Sequence, residues 1–291
     1  CMRFPLKDGA VDRAAAISLL RRAIDGGVTY VDTAYPYHNS ESERIVGEAL
    51  EGGYRERVLL ATKLPMWLLK TPEDMERIFS EQLQKLRTDH VDVYLLHALD
   101  KERFEKALKL GALDFMRRLR AEGRARRVGF SFHDEAGVFR RILDSCDWDV
   151  CQVQMNLLDE RHQATMDGVR LAGERSVGVI IMEPLRGGGL ANAPEDVQAV
   201  YNSYPVKRSP AEWAFRYLYD HPQVSCILSG VTTMEQLKDN IRIFSEADAV
   251  ADSMTQEERD LMLRAKAAYE SRVTIPCTGC EYCMPCPQKV D

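Results

Sequence analysis

Seven short apolar runs recur along the chain, each followed by a segment of helical period. They are Val28–Ala34, Val58–Leu64, Val91–His97, Arg127–Phe132, Val150–Asn156, Gly178–Pro184 and Val224–Gly230. Each is short, β-branched and nearly continuous, as strands covered on both faces are. Between them, Asp12–Asp25 puts Ala15, Leu19 and Ala23 on one face and runs into Gly26-Gly27, a helix with a glycine stop. Thr71-Pro72-Glu73-Asp74 supplies an N-cap, a first-turn proline and early acids for a helix to about Arg87. Ser209-Pro210-Ala211-Glu212 repeats that signature before Trp213–Asp220, and Thr233–Ser245 follows the last apolar run. Thr255–Glu270 lies outside the alternation, with Thr255 and Glu258 as a capping box.

Strand–helix alternation of this kind predicts a parallel sheet with helices outside it. Seven strands and a leading helix predict an α/β fold, a (β/α)₈ TIM barrel whose first strand lies before Cys1. The rival, an open doubly wound sheet, usually carries G-x-G-x-x-G after its first strand, and the sequence has none. A length of 291 residues suits one such barrel. Residues 1–270 are read as the barrel, and 271–291 as the start of a cysteine-bearing segment. The chain opens on Cys1 and stops just after its cysteine cluster, so further segments are expected beyond both ends.

Charge and cysteine usage narrow the classes. A formal net charge of −6 leaves no generally basic surface, so nucleic acid is not an expected partner. The basic stretch Arg117–Arg127 is interleaved with Leu119 and Ala121 and reads as a solvated helix face. No run approaches about 18 uninterrupted apolar residues, so no membrane span is expected. Cys1, Cys146, Cys151 and Cys226 are scattered, as small buried hydrophobes are. The other four cysteines crowd near the end and read as metal ligands. Both patterns point to a reducing, cytoplasmic setting.

In a barrel the chemistry sits at the C-terminal ends of the strands. Four polar residues fall there: Asp32 and Tyr37 in and after the first run, Lys63 at the end of the second, and His97 at the end of the third. Each alone has an ordinary structural explanation, but all four converge on one rim. A charge inside an apolar strand needs a partner, and Asp32 and Lys63 lie on neighbouring strands. An ammonium beside a phenol stabilises phenolate and lowers the phenol's pKa, which suits a proton donor. A neutral histidine can orient a carbonyl oxygen.

The stretch Gly27–Gly47 (GVTYVDTAYPYHNSESERIVG), with Lys63 and His97 following in order, resembles the aldo-keto reductase signature. The resemblance runs along the chain. It implies Tyr37 as proton donor, Lys63 and Asp32 as its tuning pair, and His97 as the residue orienting a small carbonyl substrate. It also implies a nicotinamide cofactor, NADP(H) with NAD(H) as the alternative. By that resemblance Ser131 and Gln152 hold the nicotinamide amide, while Phe132 stands where an asparagine is usual. Met182 takes the position of a stacking aromatic. Glu183, Pro184 and Leu185 line the pyrophosphate, and Gly230, Thr232, Gln236, Asp239 and Asn240 match the adenosine site. No lysine or arginine lies between Gly230 and Gln236 to take a 2′-phosphate.

Cys277, Cys280, Cys283 and Cys286 read C-x₂-C-x₂-C-x₂-C-P, one residue shorter in the last gap than the bacterial ferredoxin run. Four thiolates also suit zinc, although zinc sites usually separate two C-x₂-C pairs by a longer loop. CTGCEYCMPCPQ resembles the tail of an aldo-keto reductase subgroup with ferredoxin-like cysteines, which implies a [4Fe–4S] cluster and a ferredoxin-type redox partner. The competing functional reading is a nicotinamide-dependent electron-transfer or redox-sensing protein working through that cluster.

Overall fold

The computed structural model describes residues 1–246 and 248–272. A small antiparallel hairpin, β1 (Leu6–Lys7) and β2 (Ala10–Val11), precedes helix α1 (Arg13–Asp25). Then come β3 (Tyr30–Asp32), α2 (Ser42–Ala49), β4 (Leu59–Leu64), α3 (Glu73–Leu86) and β5 (Val91–Leu99). Two helices, α4 (Lys101–Leu110) and α5 (Ala112–Ala121), lead to β6 (Ala125–Phe132), α6 (Ala136–Leu143), β7 (Val150–Gln154) and α7 (Thr165–Glu174). The chain continues through β8 (Gly178–Met182), α8 (Glu195–Asn202), α9 (Pro210–Tyr219) and β9 (Val224–Ile227). Helices α10 (Met234–Ser245) and α11 (Gln256–Glu270) follow.

The seven strands β3 to β9 pair in parallel, strictly in sequence order, in one curled sheet. All seven apolar runs of the sequence are among them. The helix caps follow local chemistry. Asp12 accepts from the Ala15 N–H at 2.9 Å and Ser209 from the Glu212 N–H at 3.1 Å. Thr233 with Gln236, and Thr255 with Glu258, close full capping boxes. The expected Thr71 cap does not form. Pro72 has helical backbone angles (φ −57°, ψ −33°) and no side chain caps the helix N–H groups. Instead the Asp74 carboxylate reaches back to the residues before the helix, accepting from the Lys70 N–H at 2.8 Å and the Thr71 N–H at 3.0 Å.

Two apolar layers flank the sheet. Inside the curl, Ala61, Val93, Leu95, Val150 and Ile180 pack together, with Tyr30, Cys226 and Leu228 against them. Gly129 is required here: a Cβ on it would meet the Val150 carbonyl oxygen at 2.1 Å and Leu95 Cδ2 at 3.0 Å. Outside, Leu60, Leu64, Tyr94, Leu96, Phe130 and Val153 bury against the helices. Each such large side chain contributes roughly 1.5–3 kcal/mol on leaving water. The two layers fix the pleat, because a one-residue slip in any strand would exchange them.

Candidate active site

The pleat also selects the rim residues. Successive side chains alternate between faces. Tyr30 and Asp32 on β3, Ala61 and Lys63 on β4, and Val93, Leu95 and His97 on β5 share the inner face. So do Gly129 and Ser131 on β6, Val150, Gln152 and Gln154 on β7, and Ile180 and Met182 on β8. The last inward position of each strand is polar or sulfur-bearing, and together they form one floor.

At that floor Lys63 is only 1% exposed. Its Nζ donates to Asp32 Oδ1 at 2.6 Å, to the Thr33 carbonyl at 2.8 Å and to the Tyr37 hydroxyl at 3.5 Å. Burial disfavours the ammonium, but Asp32 and Tyr37 outweigh it and hold the Lys63 pKa above the ordinary lysine value. The second carboxylate oxygen of Asp32 is buried without a partner. Tyr37 is half-buried and meets the His97 ring edge-on, with centroids 6.0 Å apart. Burial raises the Tyr37 pKa more than Lys63 lowers it, so the net direction is upward. This corrects the expectation of a lowered pKa. In this state the environment keeps the phenol protonated, and Lys63 limits the cost of removing the proton.

Burial drives the His97 pKa well below its ordinary value, and Lys63 adds to the effect, so the imidazole is neutral at neutral pH. Its Nδ1 has no hydrogen-bond partner. Trp67, 41% exposed in the loop after β4, lies 5.1 Å from the His97 ring and roofs it.

Ser131 and Gln152 are directly paired across β6 and β7. The Gln152 amide N–H points at Met182 Sδ, 3.9 Å away, while its Oε1 is buried with no partner. Glu183 has φ +55°, the left-handed region, at the turn leading through Pro184 and Leu185 to a tight turn at Arg186–Gly188. Thr232, Gln236, Asp239 and Asn240 gather at the start of α10. Gln236 Oε1 accepts from the Thr232 N–H at 2.9 Å, Asp239 accepts from Arg242, and Asn240 donates to Ser229 Oγ at 2.8 Å.

Two features escaped the sequence reading. Arg3 lies across Gly230: a Cβ on that glycine would sit 3.0 Å from Arg3 Cγ, and the Arg3 carbonyl accepts from Thr232 Oγ1 at 3.4 Å. The Arg3 charge also opposes the rise that burial and Asp159 impose on the Glu183 pKa. Beyond β7, buried Asp159 accepts from Asn156 Nδ2 at 2.7 Å and Gln154 Nε2 at 3.1 Å, and Asn156 also donates to the Glu183 carbonyl at 3.2 Å. The stretch MNLLDE, which begins at the end of the fifth apolar run, carried that signal, as polar residues three apart at a strand end. Nothing in sequence could have joined Arg3 to Gly230. Among the described residues no His, Cys, Asp and Glu group is arranged to hold a metal ion. None of their helices is long and apolar enough to cross a membrane. Cys277, Cys280, Cys283 and Cys286 lie outside the described residues.

The cluster of Asp32, Tyr37, Lys63 and His97 thus closes one rim of a parallel β/α sheet, at the strand ends where such folds carry their chemistry. The aldo/keto reductase family profile matches residues 1–258, and the chain belongs to that family as an oxidoreductase. The curled seven-stranded sheet agrees with the family's barrel. The chain is 25% identical to the uncharacterised oxidoreductase YqkF of Bacillus subtilis, over 85% of this chain and 86% of that protein. It is also 25% identical to the NADH-specific methylglyoxal reductase of Escherichia coli, over 84% and 88%. The fold matches the holo form of an aldo-keto reductase from Bacillus halodurans with a TM-score of 0.74 at 23% identity, over 87% and 88% of the two chains. An aldo/keto reductase from Klebsiella pneumoniae, solved with NADP and acetate, matches with a TM-score of 0.71 at 26% identity, over 87% and 85%.

Proposed function

We propose that the chain reduces small aldehydes or ketones to alcohols with a reduced nicotinamide cofactor, NADPH in the first instance and NADH as the alternative. The contact that carries this reading is the chain of Asp32, Lys63 and Tyr37, with the lysine ammonium 2.6 Å from the carboxylate and 3.5 Å from the phenol. A reduced nicotinamide held there would supply hydride to the carbonyl carbon. Tyr37 gives its proton to the carbonyl oxygen, and Lys63 stabilises the phenolate left behind until water reprotonates it. Neutral His97 holds and orients the oxygen without competing for the proton. Trp67 narrows the space over His97 and favours a small substrate.

The residues fit a nicotinamide. The orphaned Gln152 Oε1 is a buried acceptor awaiting an N–H donor, and a carboxamide NH₂ supplies one. Ser131 stands beside it. Arg3 brings a cation to the strip between Glu183 and Gly230, where Pro184, Leu185, Thr232, Gln236, Asp239 and Asn240 would receive the remainder of a dinucleotide. Anaerobic oxidation of NADPH and NADH at 340 nm, against methylglyoxal and a panel of aldehydes and ketones, tests the reading. Carbonyl-dependent oxidation supports it, and its absence across the panel ends it.

The proposal extends to residues 271–291 as the start of an iron–sulfur segment, with Cys277, Cys280, Cys283 and Cys286 as thiolate ligands of a [4Fe–4S] cluster. The support is the donor set, four cysteines within ten residues. A ferredoxin-type partner and a cytoplasmic setting go with it. Iron and acid-labile sulfide in anaerobically purified protein are expected; zinc without sulfide would overturn the assignment. The same cysteines favour one second reading, electron transfer or redox sensing through the cluster. Rapid electron flow from NADPH to a ferredoxin-type acceptor, with no carbonyl present, would promote it.

A further inference from the structure

Strand β5 does not run straight through His97. Its register against β6 passes from Leu96–Phe130 to Leu99–Phe132, three steps on one strand against two on the other. The extra residue makes a β-bulge at His97–Ala98, the kind of irregularity that re-aims a side chain beside a site. Ala98 takes φ +53°, in the left-handed region that a residue with a Cβ rarely adopts. Such a conformation persists only where the surroundings hold it.

Here two side chains hold it. Buried Ser131 Oγ accepts from the Ala98 N–H at 2.7 Å. Arg103, from the first turn of α4, donates through Nη1 to the Ala98 carbonyl at 2.9 Å. Arg103 is itself steadied by Asp100 Oδ2 at 2.9 Å, and its guanidinium lies 5.7 Å from the Trp67 ring. Both polar groups that flank Ala98 are therefore clamped from opposite sides, one residue beyond an imidazole whose Nδ1 has no partner of its own.

We propose that Ser131 and Arg103 form a backbone clamp on Ala98 that positions His97, making Arg103 a positioning residue for carbonyl orientation. The inference rests on the carbonyl-reductase reading above. Ser131 accepts from Ala98, which leaves its own hydroxyl proton to donate elsewhere. A nicotinamide amide seated on Ser131 could therefore accept that proton without displacing the Ala98 bond.

The test uses the full chain, with 4-nitrobenzaldehyde as probe and 4-deuterated NADPH as donor. The product is a C1-deuterated alcohol whose R:S ratio reports which carbonyl face received the deuteride. Arg103→Met keeps bulk under Trp67 but removes the bond to Ala98. It is expected to lower kcat about tenfold, ~1.4 kcal/mol of barrier, and to erode the R:S ratio, with NADPH affinity by fluorescence titration unchanged. A protein that was merely less stable would lose active sites without changing that ratio. Adding Ala98→Gly, which accepts positive φ without strain, is expected to restore part of both kcat and selectivity. Wild-type kcat and R:S ratio in Arg103→Met would overturn the clamp. So would a loss that Ala98→Gly leaves untouched, which would trace it to Trp67 packing instead. Absence of wild-type aldehyde turnover would overturn the underlying carbonyl-reductase reading, and the clamp with it.

Discussion

Replacing Asp32 by Asn probes the electrostatic centre of the site with almost no change of shape. The amide oxygen can still accept from Lys63 Nζ, and the Thr33 carbonyl at 2.8 Å is untouched, but the countercharge 2.6 Å from the ammonium disappears. In the native chain the Lys63 pKa lies above 10.5 because Asp32 and Tyr37 overcome burial. Without Asp32, burial prevails and that pKa falls. Every unit it falls below the unfolded value of 10.5 costs about 1.4 kcal/mol of stability at neutral pH, because the unfolded chain then binds the proton more tightly. Stranding one member of a buried ion pair typically costs ~3–5 kcal/mol, which in a chain of this size lowers Tm on the order of 10 °C. Activity should change in form as well as size. A neutral lysine no longer stabilises phenolate, so kcat/KM should drop by ~10²–10⁴. The pH–rate profile should gain a new fall with rising pH at the lowered lysine pKa. Stopped-flow NADPH oxidation across pH, with calorimetry on the same samples, reads both. An Asp32→Asn chain with native Tm and an unchanged profile would refute the reasoning.

Gln152→Leu should weaken NADPH binding roughly 5- to 150-fold, the ~1–3 kcal/mol cost of leaving a buried amide N–H without its acceptor, as read by fluorescence titration. It should leave Tm unchanged or raised, because it removes a buried oxygen that has no partner in the free protein; unchanged affinity would contradict the amide-site assignment. Burial and then Arg103 depress the His133 pKa from 6.5 to about 4. A histidine kept neutral in the fold contributes stability that is complete above pH 6.5 and is lost as pH falls towards 4, on the order of 3 kcal/mol. His133→Gln should therefore show a shallower decline of Tm between pH 7 and pH 4.5, and an identical slope in both chains would sink this assignment.

The strands were legible because burial on both faces writes a continuous apolar run into each of them. Five of the seven fall wholly inside their runs, while β5 extends two residues past His97 and β6 starts two residues before Arg127. Asp32, Lys63 and His97 were legible for the converse reason: a charge or an imidazole ending such a run needs an explanation. What stayed hidden has a physical cause in each case. The bulge at Ala98 sits in VDVYLLHAL, where nothing marks the left-handed residue, because the groups that hold it come from Ser131 and Arg103. Arg3 meets Gly230 and Thr232 only through the closure of the fold. The direction of the Tyr37 shift turned on burial, which a sequence does not display, against a lysine charge, which it does. Near Thr71 the helix start was placed within one residue, but Pro72 rather than Thr71 is the N-cap, and the Asp74 carboxylate binds the chain just before the helix.

The proposed carbonyl reduction depends most directly on Tyr37 as the proton donor. The decisive measurement is single-turnover reduction of methylglyoxal by NADPH, compared between the native chain and Tyr37→Phe, with NADPH affinity measured alongside. Removal of one hydroxyl from the end of the Asp32–Lys63–Tyr37 chain should cost at least ~10²-fold in the chemical step and leave cofactor binding within a factor of about two. A Tyr37→Phe chain that reduces methylglyoxal at the native rate would contradict the mechanism and leave the electron-transfer reading in its place.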